Sequence, residues 1–246
     1  MMPMTLSEVA QAVGCTAEYF LNNHAKITSI STDSRPQPED EDKESCLFVA
    51  LRGEKFDGHQ YVDSALRNKA AYALVDEKGV QEYCSEISPE HLIVCKDTEQ
   101  GFLDLAGYYR NQFQFKMVGV TGSVGKTTTK EMIAQVLSAQ YETLKTQGNF
   151  NNRVGLPKTL FQLDNSIEAA VIEMGMNSFG EISDLTRRAR PDAAVITNIG
   201  VAHIEYLGSR AGILKAKMEI IEGMKEGSPL ILNKDDNMLA DLDRPQ

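Results

Sequence analysis

Gly119-Val-Thr-Gly-Ser-Val-Gly-Lys-Thr-Thr-Thr129 is the stretch on which the fold turns. An apolar run, Phe115 to Val120, leads into it, and a helix-like segment, Lys126 to Gln140, leads out. A strand, a glycine-rich turn and a helix start together make an anion site. Backbone N–H groups converge there, the helix dipole favours negative charge, and glycine lets the chain approach a phosphate closely. Thr121, Gly122, Ser123, Val124, Gly125, Lys126, Thr127 and Thr128 are the candidate phosphate-binding residues. Lys126 is placed to reach a terminal phosphate, and the Thr127 hydroxyl to ligate Mg²⁺. A stricter form of the loop has glycine where Val120 stands, so what remains is Thr-Gly-x-x-Gly-Lys-Thr. The bland alternative is a glycine-rich turn with a surface lysine.

The flanking segments give the fold class. From Lys116 onward, strand and helix signals alternate. Strands are expected at 116–121, 169–174, 193–198 and 229–233, with a shorter one at 143–146. Helices are expected at 126–140, 153–162, 180–188 and 211–224. This alternation predicts a mostly parallel sheet covered by helices on both faces. Residues 98–112 read as a helix leading into that second domain. Residues 1–97 read as a smaller α/β domain: helical to about residue 25, then strands at 27–32, 46–51, 71–75 and 91–95, with a helix at 61–68. The acidic segment 37–44 reads as a solvated loop.

The net charge of −10 argues against non-specific nucleic-acid binding, so positive potential must be concentrated locally. No apolar run approaches the length of a membrane span. The opening residues lack a basic region followed by an apolar core, so no secretory leader is expected. Cys15, Cys46, Cys84 and Cys95 form no C-x-x-C pair, and reduced thiols are the expected state. Beyond the 229–233 strand, Asp241 to Gln246 shows no element of its own, which leads us to expect a fragment of a longer, truncated sheet domain.

Glu173 ends an apolar strand, where ligands of open parallel sheets collect, and is an oxygen ligand suited to Mg²⁺. A solvated strand-end carboxylate is the alternative. His203 follows a similar strand and Asn198, and is a candidate for metal or phosphate. Gly148-Asn-Phe-Asn-Asn152 supplies amide donors and acceptors, or simply a tight turn. His59 lies in a polar loop and could face a ligand, whereas His24 and His91 read as surface residues.

Four blocks in order then resemble the Mur ligases: Thr121 to Thr128, Gly148 to Pro157, Glu173-Met-Gly-Met-Asn-Ser-Phe-Gly-Glu-Ile182, and Thr197-Asn-Ile-Gly-Val-Ala-His203. Asp33-Ser-Arg35, Leu47 to Glu54 and Phe56-Asp-Gly-His59 add to the likeness. The resemblance implies a UDP-substrate-binding domain at 1–97 and a truncated ATP-binding P-loop domain at 98–246. It implies an ATP- and Mg²⁺-dependent amide ligase of peptidoglycan precursor synthesis, acting as a cytoplasmic monomer. Its partners would be UDP-MurNAc-tripeptide and D-alanyl-D-alanine, with no nucleic acid and no membrane. By resemblance, Lys126, His203 and Lys217 are catalytic, with Lys217 carrying a carbamate and Lys215 as the fallback. Thr127, Glu173, His203 and Lys217 would serve metal, and Asn149 and Asn152 the nucleotide. Asp33, Ser34, Arg35, Arg52 and His59 would face the UDP end. Glu44-Ser-Cys46 departs from the family's usual Gly-Asp pair. Two other readings stay open: a binding module with little turnover, and an unrelated P-loop kinase or GTPase, for which Asn233-Lys-Asp-Asp236 superficially resembles a guanine-reading motif.

Overall fold

The computed structural model describes residues 1–35, 45–53, 55–202, 204–240 and 242. It divides into two compact units, Met1–Leu105 and Ala106–Gln246. The acidic segment 37–44 lies outside the described residues.

In the first unit, β1 (Met4–Thr5) pairs antiparallel with β2 (Lys26–Ile27). Between them the single expected helix is two: α1 (Leu6–Ala12) and α2 (Glu18–Leu21). α1 starts at a capping box in which Thr5 accepts the Glu8 N–H and the Glu8 carboxylate accepts the Thr5 N–H. α1 buries Leu6, Val9 and Ala10 and α2 buries Phe20, with a non-helical break at residues 13–17 between them. The main sheet runs β3 (Ser29–Ser31), β4 (Cys46–Val49), β5 (Tyr72–Asp76), β6 (Leu92–Cys95), every pair parallel. Parallel neighbours need crossovers, which α3 (Val62–Asn68) and α4 (Glu77–Tyr83) supply. Phe48, Val62, Ala65, Ala73 and Val75 form the core on the α3 side. α4 was not foreseen; the Asp76 carboxylate starts it by accepting the Gly79 N–H at 2.8 Å.

α5 (Thr98–Arg110) carries the chain from one unit to the other. The second unit holds a five-stranded sheet of order β11 (Leu230–Leu232), β10 (Ala193–Ile196), β7 (Lys116–Thr121), β9 (Ala169–Glu173), β8 (Thr143–Lys145). Every ladder is parallel, and β9 is buried at each position, as its unbroken Ala-Ala-Val-Ile run requires. The helices are α6 (Lys126–Leu137), α7 (Gly155–Leu160), α8 (Glu181–Ala189), α9 (Ile204–Leu207), α10 (Arg210–Met218) and α11 (Asn237–Ala240). The helix expected over 211–224 ends at Met218 and tightens into a 3₁₀ turn, Glu219–Gly223. Among the described residues, no helix is long and apolar enough to cross a membrane.

All four cysteines are buried and unbridged. Burial, with Asp57 and Asp76 nearby, pushes the Cys84 thiol up to about 11; burial and Asp76 push Cys95 up to about 12. The thiolate is the reactive form. At neutral pH, an aromatic disulfide reagent should therefore label none of the four rapidly, and all four after denaturation. Fast stoichiometric labelling of the native chain at Cys84 or Cys95 would contradict this burial.

Candidate functional site

The site grows from the C-terminal end of β7, which is flanked by β10 on one side and β9 on the other. Consecutive connections leave in opposite directions there, and a crevice opens beyond the strand ends. The turn into α6 uses glycine twice. Gly125, at φ 82°, caps α6 without a side chain, so the first N–H groups of the helix stay open to an anion. At Gly122 an added Cβ would lie 1.9 Å from Thr197 Oγ1, so only glycine lets β10 approach. Residues following β10 pin the turn. Asn198 Oδ1 accepts the Val124 N–H at 2.9 Å, and Thr197 Oγ1 donates to the Val124 carbonyl at 2.6 Å. Gly200 N–H donates to Ser123 Oγ at 2.9 Å. Lys126 Nζ donates to the Gly122 carbonyl at 3.0 Å, which folds the ammonium over the turn and leaves it further donors.

Three elements meet at Glu173, which is 2 % exposed at the end of β9. Thr127 Oγ1, from α6, donates to its Oε2 at 2.9 Å. Asn151 Nδ2, from the turn after β8, donates to its Oε1 at 2.8 Å. No ion pair to Glu173 occurs among the described residues, so a buried carboxylate stands beside a phosphate-type loop without a counter-cation. Lys126, Asn151, Asn152 and Lys217 line one cleft of about 190 Å³. Lys217, on α10, is 3 % exposed; burial and the charge of Lys126 lower its pKa to about 7. Lys215, two residues earlier, instead sits over the Phe179 ring at 5.7 Å. Thr121 Oγ1 is spent on the Met174 carbonyl at 2.9 Å, and Thr128 is exposed.

The Asn turn is resolved differently from expectation. Asn151, not singled out from the sequence, reaches Glu173. Asn152 Oδ1 accepts the N–H groups of Val154 and Gly155 at 3.2 and 2.8 Å, starting α7 and leaving its amide N–H groups for the cleft. Asn149 is exposed and does not line the cleft. Its place in the turn carried no signal separating it from Asn151. His203 lies outside the described residues. In Asn233-Lys-Asp-Asp236, Asn233 Nδ2 donates to the Thr197 carbonyl at 3.0 Å, and Asp236 accepts the N–H groups of Ile199 and Met238, each at 2.8 Å. That carboxylate is occupied by backbone, which disfavours its reading a guanine.

In the first unit, Asp33, Arg52 and Asp76 follow or end β3, β4 and β5, and so lie along one edge of a parallel sheet. Arg35 clamps Asp33 through both oxygens, at 3.0 and 2.6 Å, and holds its carboxyl well below the usual range. No side-chain contact distinguishes Ser34. Arg52 donates to Asp57 at 2.8 Å and pairs with both oxygens of Asp76. His59 corrects the sequence reading: its side chain is 0 % exposed and cannot face a ligand. Its Nδ1 meets Asp57 Oδ1 at 2.5 Å, and its Nε2 accepts the Asp76 N–H at 3.2 Å. His24 is exposed, whereas His91 is half-buried, with Nδ1 bonded to the Ala71 carbonyl at 2.9 Å.

Residues 120–245 match the family model of the Mur ligase middle domain. The chain is 42% identical over 241 residues to the UDP-N-acetylmuramoyl-tripeptide–D-alanyl-D-alanine ligase of Bacillus subtilis, covering 97% of this chain and 50% of that protein. It is similar to a crystal structure of MurF from Acinetobacter baumannii at TM-score 0.85 and 35% identity, over 98% of this chain and 51% of that one. It is similar to the MurF ligase of Thermotoga maritima in complex with ADP at TM-score 0.76 and 34% identity, over 86% of this chain and 47% of that one. The chain spans about half the length of the relatives it matches.

Burial of Lys217 has a measurable consequence. Its folded pKa, about 7, lies below its ordinary 10.5, so from about pH 7 to 10.5 the unfolded chain binds more protons than the folded one. Stability should rise with pH across that window, the burial penalty being full below it. Urea unfolding over this range should show a steeper rise for the native sequence than for Lys217→Met. Parallel slopes would refute the burial of this amine.

Proposed function

We propose that this chain, which belongs to the Mur ligase family, carries the ATP site and the UDP-substrate site of a peptidoglycan-precursor ligase. The reaction is the joining of D-alanyl-D-alanine to UDP-MurNAc-tripeptide. The tripeptide carboxylate takes the γ-phosphoryl group of ATP, ADP leaves, and the dipeptide amine displaces phosphate from the acyl phosphate, losing a proton. A free carboxylate is a poor acyl donor because its leaving group would be oxide; phosphorylation supplies a better one. The observation that carries this reading is that Asn151, which lines one cleft with Lys126 and Lys217, shares the Glu173 carboxylate with Thr127 of the phosphate-type loop.

Each residue has a task its geometry suits. The open N–H groups at the start of α6 and the Lys126 ammonium bind the β- and γ-phosphates and balance charge on the transferred group. Thr127 and Glu173 are hard oxygen donors, and a buried carboxylate with no ion pair among the described residues fits a divalent cation; they would hold Mg²⁺, which supplies charge neutralisation when bound. Lys217 takes the carbamate role: an amine with a pKa of about 7 is substantially unprotonated at neutral pH and so able to add CO₂, giving an anionic oxygen ligand. His203 is assigned to a second metal. In the first unit, the edge bearing Asp33, Ser34, Arg35 and Arg52 binds the UDP end, with Arg52 held by Asp57 and Asp76. The protein works as a monomer in the cytoplasm.

Two measurements test this. Calorimetry with Mg·ADP should show binding by the native chain, weakened roughly tenfold to a hundredfold in Lys126→Ala through loss of a charged hydrogen-bond donor. Undiminished affinity would remove Lys126 from the phosphate site, and strong displacement by GTP would favour the GTPase reading. Phosphate release should require ATP, the UDP-tripeptide and the dipeptide together. Release independent of the dipeptide would sink the ligase assignment. Binding without any turnover would leave the chain as a binding module.

A further inference from the structure

One buried charge in the second unit is not used by the reaction above. Lys130, on the first turns of α6, is 1 % exposed. Its Nζ donates to the Thr146 carbonyl at 2.8 Å and pairs with Glu131 at 3.0 Å. Helical periodicity gives no reason for an ammonium here, and burying one is costly unless it is paired and hydrogen-bonded. The end of β8 supplies the reason. The ladder with β9 closes at Lys145↔Val171, and the Thr146 N–H makes the last bond, to the Val171 carbonyl at 3.1 Å. The Thr146 carbonyl has run past the ladder, and Lys130 is the donor that meets it.

Thr146 is fully buried, and its hydroxyl accepts the backbone N–H of Glu173 at 3.0 Å. It is also the last residue before the turn that carries Asn151. Lys130 therefore ties α6, which bears Thr127, to the junction that fixes the main chain of Glu173 and launches Asn151. We propose that Lys130, through Thr146, is a positioning residue that holds Thr127, Glu173 and Asn151 in register for a divalent cation on a bound nucleotide. The proposal rests on the phosphate-site reading above. Lys130 touches neither nucleotide nor metal.

The test compares Lys130→Met, Lys130→Arg and Thr146→Val with the native chain. ADP affinity is measured by calorimetry with Mg²⁺ and, separately, with a chelator. In Lys130→Met the Mg²⁺-dependent gain in affinity should fall by about tenfold to a hundredfold, the range for outer-shell partners of metal ligands, while chelated ADP binds within about twofold of native. A purely structural lysine would lower both affinities alike or neither, and either result overturns the proposal. Lys130→Arg, which keeps a donor, should restore much of the gain. Thr146→Val keeps the carbonyl but loses the hydroxyl, and should share the Lys130→Met behaviour. If Lys130→Met fails to fold, Thr146→Val decides, and a native Mg²⁺ gain there refutes the link.

Ligand-free NMR separates this proposal from the reading it rests on. If the native chain shows no Mg²⁺-dependent gain at all, the phosphate-site reading fails. The Asn151 carboxamide and Glu173 amide resonances should still move in Lys130→Met and return toward native positions in Lys130→Arg. Unmoved resonances refute the positioning role whatever the nucleotide does.

Discussion

A buried carboxylate with no ion pair among the described residues is the constraint around which the second unit is organised. Glu173 ends a strand that is buried on both faces, so its position along β9 is fixed by sheet packing and not by its own chemistry. Removing such a group from water costs several kcal/mol when nothing compensates. Here compensation comes from a hydroxyl and an amide that belong to different elements, Thr127 and Asn151. Both are neutral donors, so the charge is solvated but not cancelled. Asn151 also lines the cleft that holds Lys126, and Thr127 belongs to the open start of α6, where phosphate is attracted. Anion-binding groups and a buried carboxylate thus stand within one hydrogen-bonded network, and that juxtaposition is the physical basis of the proposed metal–nucleotide reading.

The architecture was legible where the signal is local. The stretch 119–129 is contiguous, so its strand, turn and helix could be read as one unit, and the parallel sheet followed from alternating runs such as Ala169–Ile172. The first twenty-five residues misled because Leu6, Val9, Ala10 and Val13 have a helical period that says nothing about where the rod must break to seat Phe20. The site was legible in part. Glu173, Lys126 and Thr127 are marked by their place at a strand end or in the loop. Asn151 was not, because three asparagines within four positions have equal chemistry and only the backbone of the turn decides which faces the carboxylate. Lys130 and Thr146 were invisible for a related reason: their partners lie 16 and 27 residues away.

The first unit shows how a polar loop can look like a site and be a brace. Arg52, Asp57, His59 and Asp76 close a ring in which each side chain holds the next. Nε2 of His59 accepts the Asp76 backbone N–H, and Nδ1 lies within hydrogen-bond distance of Asp57 Oδ1. Both ring nitrogens are thereby spent. Arg52 is in a different position. Three of its five N–H groups are tied to Asp57 and Asp76, its plane is held, and its side chain remains 36 % exposed. In this ring Arg52 is the exposed member and keeps N–H groups beyond those tied to Asp57 and Asp76, whereas His59 is enclosed and braces the loop.

Two amines in one cleft raise the question of why the site keeps Lys217 at all. Were both ammonium groups charged, their repulsion would add to the cost of burying Lys217, and the protein would gain nothing that Lys126 does not already provide. Desolvation is the larger cause of the lowered pKa, with Lys126 adding to it. The environment thus eases loss of a proton at Lys217, while the Gly122 carbonyl accepts from the Lys126 side chain. Conversion to an anionic carbamate would reverse its relation to Lys126 from repulsion to attraction, and would put an anionic oxygen into the cleft that both residues line. The unmodified and modified amine would then be two electrostatic states of the same pair, and what separates the two lysines on α10 is placement: Lys217 lines the cleft, whereas Lys215 sits over the Phe179 ring.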